Sequence, residues 1–295
     1  MTSLPFERTL LDALHSITLL PRRLVFCTPG LEPTIPLLRG VWGNALHSID
    51  RNAYDNVFFP GENGGLPGYV LREAGTDPHG FPMVDHILIG QAISHDGALL
   101  AAWIRACELG LGPDRIPFFL RGHVLGPDDS QPDTAAPWNL SNAPWPLSGS
   151  PATSPCRFVF QNPLRLLKDG KLISAPTFVD LVVALCRRIG NFLPAELTQD
   201  WREISHLALE TARRLPCLPW QGEAHNLVRW SSSQHAELNM RGVSGFLDLP
   251  FGPGALWPLI AAGRWIHLGK GTVMGMGRPW LEPLKDESHG FPQLE

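Results

Sequence analysis

His267-Leu-Gly-Lys-Gly-Thr-Val-Met-Gly-Met-Gly-Arg-Pro-Trp280 is the stretch from which the rest of the chain is best read. Gly269, Gly271, Gly275 and Gly277 fall within nine residues, with Lys270 and Arg278 set among them. Glycine allows positive φ and close backbone approach. Successive amides in such a loop make a concavity for anions, and the two cations add charge. The expected guest is a phosphate, of a nucleotide or of a nucleic-acid backbone. The alternative is a glycine-rich hairpin with no ligand. Two nucleotide motifs fail on spacing. A P-loop needs Ser or Thr after its lysine, where this chain has Gly271. The dinucleotide pattern G-x-G-x-x-G would need glycine at Met274, and Gly275 comes one position late.

Working outward, the chain has 295 residues, 44% hydrophobic and 18% charged. It is long enough for two domains and apolar enough to bury a core. Its longest apolar runs, such as Phe178 to Cys186, are too short to span a bilayer. The first residues lack the basic-then-apolar order of a secretion signal. Cys27, Cys107, Cys156, Cys186 and Cys217 are odd in number and scattered, which suits reduced thiols of a cytoplasmic protein. Net charge is −4, against a protein that grips any polyanion. The charge is uneven, however. Residues 226–281 hold five basic and two acidic side chains, and residues 62–134 hold ten acidic and four basic.

Element order follows from periodicity. Phe6 to Ile17 has helical apolar spacing, broken by Pro21-Arg22-Arg23. Leu24 to Cys27 reads as a strand and Pro36 to Ile49 as a helix. Glycine-rich turns and short strands fill residues 60–89, Ala92 to Leu109 is helical, and Ile116 to Leu125 is a strand. Gly126 to Pro155, with seven prolines, reads as a linker with tryptophan contacts. The second half repeats the order. Cys156 to Gln161 is a strand, and Pro176 to Phe192 and 195–214 are helices. Leu227 to His235 and Val243 to Leu249 are strands, Gly254 to Ala262 a short helix, and Trp265 to Leu268 a strand. A last strand ends at Leu281. The expected fold is α+β: two tandem ferredoxin-like (RRM-like) β-α-β-β-α-β domains. They divide at 1–150 and 151–295, with the glycine loop in the second.

Four segments carry a resemblance: Arg229-Trp-Ser-Ser-Ser-Gln234, Arg241-Gly-Val-Ser-Gly-Phe246, the helix Gly254 to Ala262, and the glycine loop itself. Together they resemble the CRISPR pre-crRNA-processing endoribonucleases of the RAMP superfamily. More loosely, Leu38 to His47 resembles that family's first helix, and Tyr54 to Pro60 and Gly80 to Gly90 also fit. The resemblance implies metal-independent cleavage within the CRISPR repeat RNA. The 2′-hydroxyl attacks, leaving a 2′,3′-cyclic phosphate and a 5′-hydroxyl, and mature crRNA is retained. No cofactor or metal is called for; His79, His86 and His95 lack metal-ligand spacing. The implied partners are the repeat RNA, as hairpin and single-stranded flank, and other CRISPR effector subunits, with no membrane.

His47 is the candidate for proton transfer, because the resemblance puts an essential histidine on this helix and imidazole titrates near neutrality. Tyr54 is its candidate catalytic companion. The competing reading of His47 is a solvated histidine on a helix face. Arg22, Arg23, Arg39 and Arg51 are candidate phosphate contacts. In the second half the candidate RNA contacts are Arg229, Ser231, Gln234, Arg241, Gly269, Lys270, Gly271, Thr272, Gly275, Gly277 and Arg278. Ser231 to Ser233 read equally as turn structure. Trp230 and Trp280 are either stacking surfaces for bases or core. His267 packs or touches RNA. Two further functions stay open: a non-catalytic RAMP subunit that holds guide RNA, and a small-molecule enzyme using the loop for a phosphate.

Overall fold

The computed structural model describes residues 3–284 apart from 29, 31–32, 61–64, 113, 128–135, 227, 232–235 and 240. Helix α1 (Ser3–His15) precedes the first sheet. Then come β1 (Thr18–Phe26), α2 (Ile35–Ile49), α3 (Arg51–Phe58), β2 (Tyr69–Thr76), β3 (Pro82–Ile89), α4 (Asp96–Leu109) and β4 (Leu120–Val124). The short β5 (Trp138–Asn139) also pairs with β1. The second half runs β6 (Cys156–Leu164), a small hairpin of β7 (Leu167–Lys168) and β8 (Lys171–Leu172), α5 (Phe178–Gly190) and α6 (Thr198–Arg214). It continues with β9 (Gln221–His225), β10 (Val228–Ser231), β11 (Ala236–Asn239), β12 (Gly242–Leu249), α7 (Trp257–Ile266) and β13 (Trp280–Pro283).

Both sheets are antiparallel with the same order. The first is β2-β3-β1-β4 and the second β13-β6-β12-β9, each fourth-first-third-second by rank in its half. That is the order of a ferredoxin-like unit, so the chain is α+β with two such units in tandem.

Three elements differ from the sequence expectation. Strand β1 begins at Thr18 and runs through Pro21-Arg22-Arg23, which looked like a break. Proline is tolerated because β4 pairs from Arg22 onward and β5 pairs only Thr18 and Leu19. Pro21 sits between them, where no ladder donor is needed, and its carbonyl accepts from the Leu125 amide at 2.9 Å. Secondly, Trp265 and Ile266 end helix α7 instead of starting a strand. Eight of its ten residues are buried, so the helix shows no polar face and its period is hidden. Thirdly, the second strand of the second unit is β9, whose exposed Gln-Gly-Glu-Ala-His gives no apolar signal. The run from Leu227 splits into the extra hairpin β10–β11.

The first sheet is buried on both faces. Leu20, Leu24, Leu71 and Leu88 join α2 and α4 in one core. Leu19, Val70, Ile87 and Ile89 join a larger core with α5, α6 and α7. Helix α1 enters that second core through Leu10 and Leu14. The proline-rich segment is packed too. Trp138 Nε1 donates to the Leu125 carbonyl at 3.1 Å, and its ring meets Trp265 edge-on at 4.9 Å.

Candidate nucleic-acid interface and active site

The site around His47 is built by a corner. Helix α2 stops at Asp50, whose amide donates to the Leu46 carbonyl at 2.8 Å. The same residue caps α3, its carboxylate accepting from the Ala53 amide at 2.9 Å. One residue thus closes one helix and opens the next, and the chain turns back on itself. Tyr54 then lies against His47, ring centroids 5.0 Å apart at 84°. Tyr54 stacks on Phe58 at 4.9 Å and 19°. Phe58 packs on α2 where Gly43 leaves room; a Cβ there would stand 2.8 Å from the Phe58 ring. Arg39 covers the other side of Phe58, 4.9 Å from its centroid, and donates to the Tyr69 hydroxyl at 2.8 Å. His47 is exposed at the end of this ladder.

The other arginines of the first half are placed differently. Arg22 pairs with Asp96. Arg23 pairs with Asp85 through bonds of 2.8 and 3.2 Å. Both guanidiniums, expected as phosphate contacts, are engaged with carboxylates of the same domain. Arg51 is exposed and 3.8 Å from Asp55 across one helical turn, a weak pair.

The glycine loop connects α7 to β13. Gly269, Gly271, Gly275 and Gly277 all have positive φ, between 66° and 79°. A Cβ would stand 2.4 Å from the Arg165 carbonyl oxygen at Gly269, and 2.0 Å from that of Leu268 at Gly277. Only glycine fits there. The expected open cradle of amides is largely occupied. Leu268, Lys270, Met274, Gly275, Met276 and Gly277 donate to backbone carbonyls within the protein. Thr272, Gly275, Met276 and Gly277 are buried, so they shape the loop more than they present it. Lys270 is exposed. Val273 and Met274 pack against the first core. The loop therefore meets the first domain, its Thr272–Met274 turn lying against β2 and α2. Arg278 donates to the Glu73 carbonyl at 3.2 Å.

Arg229 and Ser231 lie on β10, and Arg241 is exposed just before β12. Gln234 lies outside the described residues. His267 is fully buried, Nδ1 3.1 Å from the Met276 carbonyl oxygen. Burial first, then Arg72 and Arg278, hold its pKa well below the ordinary imidazole value. It packs, as one of its two expected readings had it. Among the described residues no three His, Cys, Asp or Glu side chains converge as a metal site, and no helix is long and apolar enough to cross a membrane.

Sequence reasoning missed the centre of the molecule. Asp85, fully buried, holds Arg72 at 3.0 Å as well as Arg23. Arg72 then donates to the Arg264 carbonyl at 2.6 Å and lies 4.9 Å over the Trp265 ring. This network ties the first sheet to α7. Nothing in the local sequence marks it, because its members are remote along the chain.

Tandem ferredoxin-like units, a glycine loop packed against the first of them and an exposed histidine on α2 are the features to set beside known proteins. Residues 153–279 match the family described as CRISPR-associated endoribonuclease Cas6. The chain resembles a solved Cas6 product complex with a TM-score of 0.55 at 21% identity, covering 90% of this chain and 99% of that one. It resembles Thermus thermophilus Cas6 with a TM-score of 0.52 at 14% identity, covering 90% and 98%. A partial Cas6-RT-Cas1–Cas2 complex matches with a TM-score of 0.56 at 13% identity, covering 95% of this chain and 48% of that one. Comparison with curated proteins finds no match. The second half thus resembles that family in sequence, and the whole chain shares the fold of its solved structures.

Proposed function

We propose that this protein cleaves CRISPR precursor RNA within the repeat, without a metal ion, and keeps the mature crRNA. The observation that carries the reading is the exposed His47 held edge-to-face by Tyr54. Attack of a ribose 2′-oxygen on the adjacent phosphate needs three things: in-line placement, transfer of the 2′-hydroxyl proton, and a proton for the departing 5′-oxygen. The bond formed is from the 2′-oxygen to phosphorus and the bond broken is from phosphorus to the 5′-oxygen. The products are a 2′,3′-cyclic phosphate and a 5′-hydroxyl. His47 serves the proton transfer, and general acid–base help of this kind is worth about two to four powers of ten. Tyr54 packs against the imidazole and is assigned a catalytic role beside it. Arg39 and Arg51 supply positive charge nearby. Lys270, Arg241 and the β10 residues Arg229 and Ser231 hold the RNA backbone, and Gln234 is a further proposed RNA contact.

Retention of crRNA and association with other CRISPR proteins are parts of the same reading. A Cas6 fold inside a Cas6-RT-Cas1–Cas2 complex supports the second. The setting is the cytoplasm, where the five free cysteines stay reduced.

The test is end-group analysis of a cleaved repeat RNA in excess EDTA. Cleavage with a cyclic phosphate and a 5′-hydroxyl, abolished by a 2′-deoxy substitution at the cut, is the expected result. Loss of cleavage in EDTA, or a 5′-phosphate product, sinks the reading. If wild type binds repeat RNA but never cuts it, the protein is a guide-holding subunit instead.

A further inference from the structure

The two sheets differ in what covers them. Strand β3 is buried at its last six positions, because both faces of its sheet are packed. Strand β6 instead alternates buried and partly exposed from Cys156 to Phe160. Phe158, Phe160, Leu247 and Leu281 face the core under α5, α6 and α7. Phe246, Val159 and Trp280 face the other way, and none of them belongs to either apolar core.

These three residues are in register. Val159 pairs with Phe246 on β12 and with Trp280 on β13, so they form one row across three strands. Each aromatic ring has a guanidinium on it. Arg157 lies 3.8 Å from the Phe246 centroid, held there by Asp248 through bonds of 2.7 and 2.9 Å. Arg278 lies 4.1 Å from the Trp280 centroid. A single exposed apolar residue needs no explanation. A row of two aromatics in register, each bearing an arginine, on the outer face of a sheet that ordinarily turns polar to water, does.

Every nucleobase has a π face, and unpaired bases stack on aromatic rings and on guanidinium planes. The two stacks stand two strand spacings apart, about 10 Å. The Trp280 stack lies three residues beyond the last loop glycine, Gly277. Resting on the reading that this chain binds RNA, we propose that the outer face of the second sheet holds unpaired nucleotides by stacking them on Arg157–Phe246 and Arg278–Trp280. Stacking on a π face does not depend on which base is presented, so the ligand is single-stranded RNA, the flank of the hairpin.

The test uses the full chain and two fluorescein-labelled probes: single-stranded oligoadenylate, and a blunt RNA stem-loop with no unpaired flank. Anisotropy titrations compare wild type with the double variant Phe246→Ala/Trp280→Ala. At about 1–3 kcal/mol per stacked base, the double variant should lose at least about tenfold affinity for oligoadenylate. Stem-loop affinity should change less than about twofold. Phe246→Tyr/Trp280→Phe, which keeps both π faces, should bind as wild type. Should the alanines unfold the sheet, Phe246→Leu/Trp280→Leu keeps apolar volume without a π face and gives the same comparison. Unchanged oligoadenylate affinity, or equal losses on both probes, overturns the proposal. Cleavage of repeat RNA is a separate readout. Its absence in wild type would sink the nuclease reading and leave the stacking result standing.

Discussion

His47 and Tyr54 meet ring to ring, edge to face, 5.0 Å apart, although they sit on different helices. Asp50 makes this possible by ending α2 and capping α3. His47→Ala should cut cleavage about 10²- to 10⁴-fold and leave RNA affinity within about twofold. Tyr54→Phe keeps the ring contact and loses only the hydroxyl, so its cleavage should fall about tenfold, the scale of one hydrogen bond. Tyr54→Ala should fall further, because His47 then loses its neighbour. Single-turnover cleavage beside a binding titration checks all three. Full activity in His47→Ala would remove the histidine from the mechanism.

Asp85 holds Arg72, which in turn reaches α7 through the Arg264 carbonyl. Burial pushes the Asp85 carboxyl up, and Arg72 and Arg23 overcome it, holding it below its ordinary value. Removing one partner of a buried pair costs about 3–5 kcal/mol, because the other charge stays buried. Asp85→Asn should therefore destabilise strongly in urea at neutral pH, without touching His47. The depressed carboxyl stabilises the fold above its unfolded pKa, and that stability is lost as pH falls through the folded value. The gap between wild type and Asp85→Asn should accordingly close in acid. A constant gap down to the lowest pH at which both fold would contradict this.

Two buried histidines act on the same acid side of the pH profile. Burial, then Arg22, lowers His86 from 6.5 to about 3. Burial also holds His267 well below 6.5, aided by Arg72 and Arg278. The unfolded chain takes up protons below 6.5 that the folded chain refuses, so stability drops as pH falls. The slope is about 1.4 kcal/mol per pH unit for each such group. His267→Asn, which tolerates the positive φ of 59° at this position, should flatten the curve between pH 6 and 4 by about that one increment. Urea titrations across this range would show it, and an unchanged slope would mean that His267 is protonated in the fold.

Loop geometry and loop charge should separate cleanly. Gly277→Ala forces a Cβ to 2.0 Å from the Leu268 carbonyl oxygen at a φ of 66°. It should lower the melting temperature and weaken RNA binding together. Lys270→Ala touches nothing buried and should leave the melting temperature unchanged. Its RNA affinity should fall a few-fold, and the slope of log affinity against log salt should flatten by about 1. An unchanged salt slope would take Lys270 off the RNA.

What the sequence determined by itself was local and periodic. Amphipathic spacing showed α2, α4 and α5, and the repeated order of elements pointed to two ferredoxin-like units. The four positive-φ glycines were legible because no other residue suits them. His47 was legible as a helix histidine beside a turn. Tertiary structure decided the rest, since it depends on which faces meet. Strand β9 has too few apolar residues to show a period, and only its pairing with β12 makes it a strand. Helix α7 is buried all round between the two units, so it has no face to read. The sequence did not show that Arg22 and Arg23 have Asp96 and Asp85 as partners, which a helix and a neighbouring strand supply. Thr272 looked like a loop contact and is buried. Charge pairing and burial act through space over tens to hundreds of residues, and only the folded chain brings those partners together.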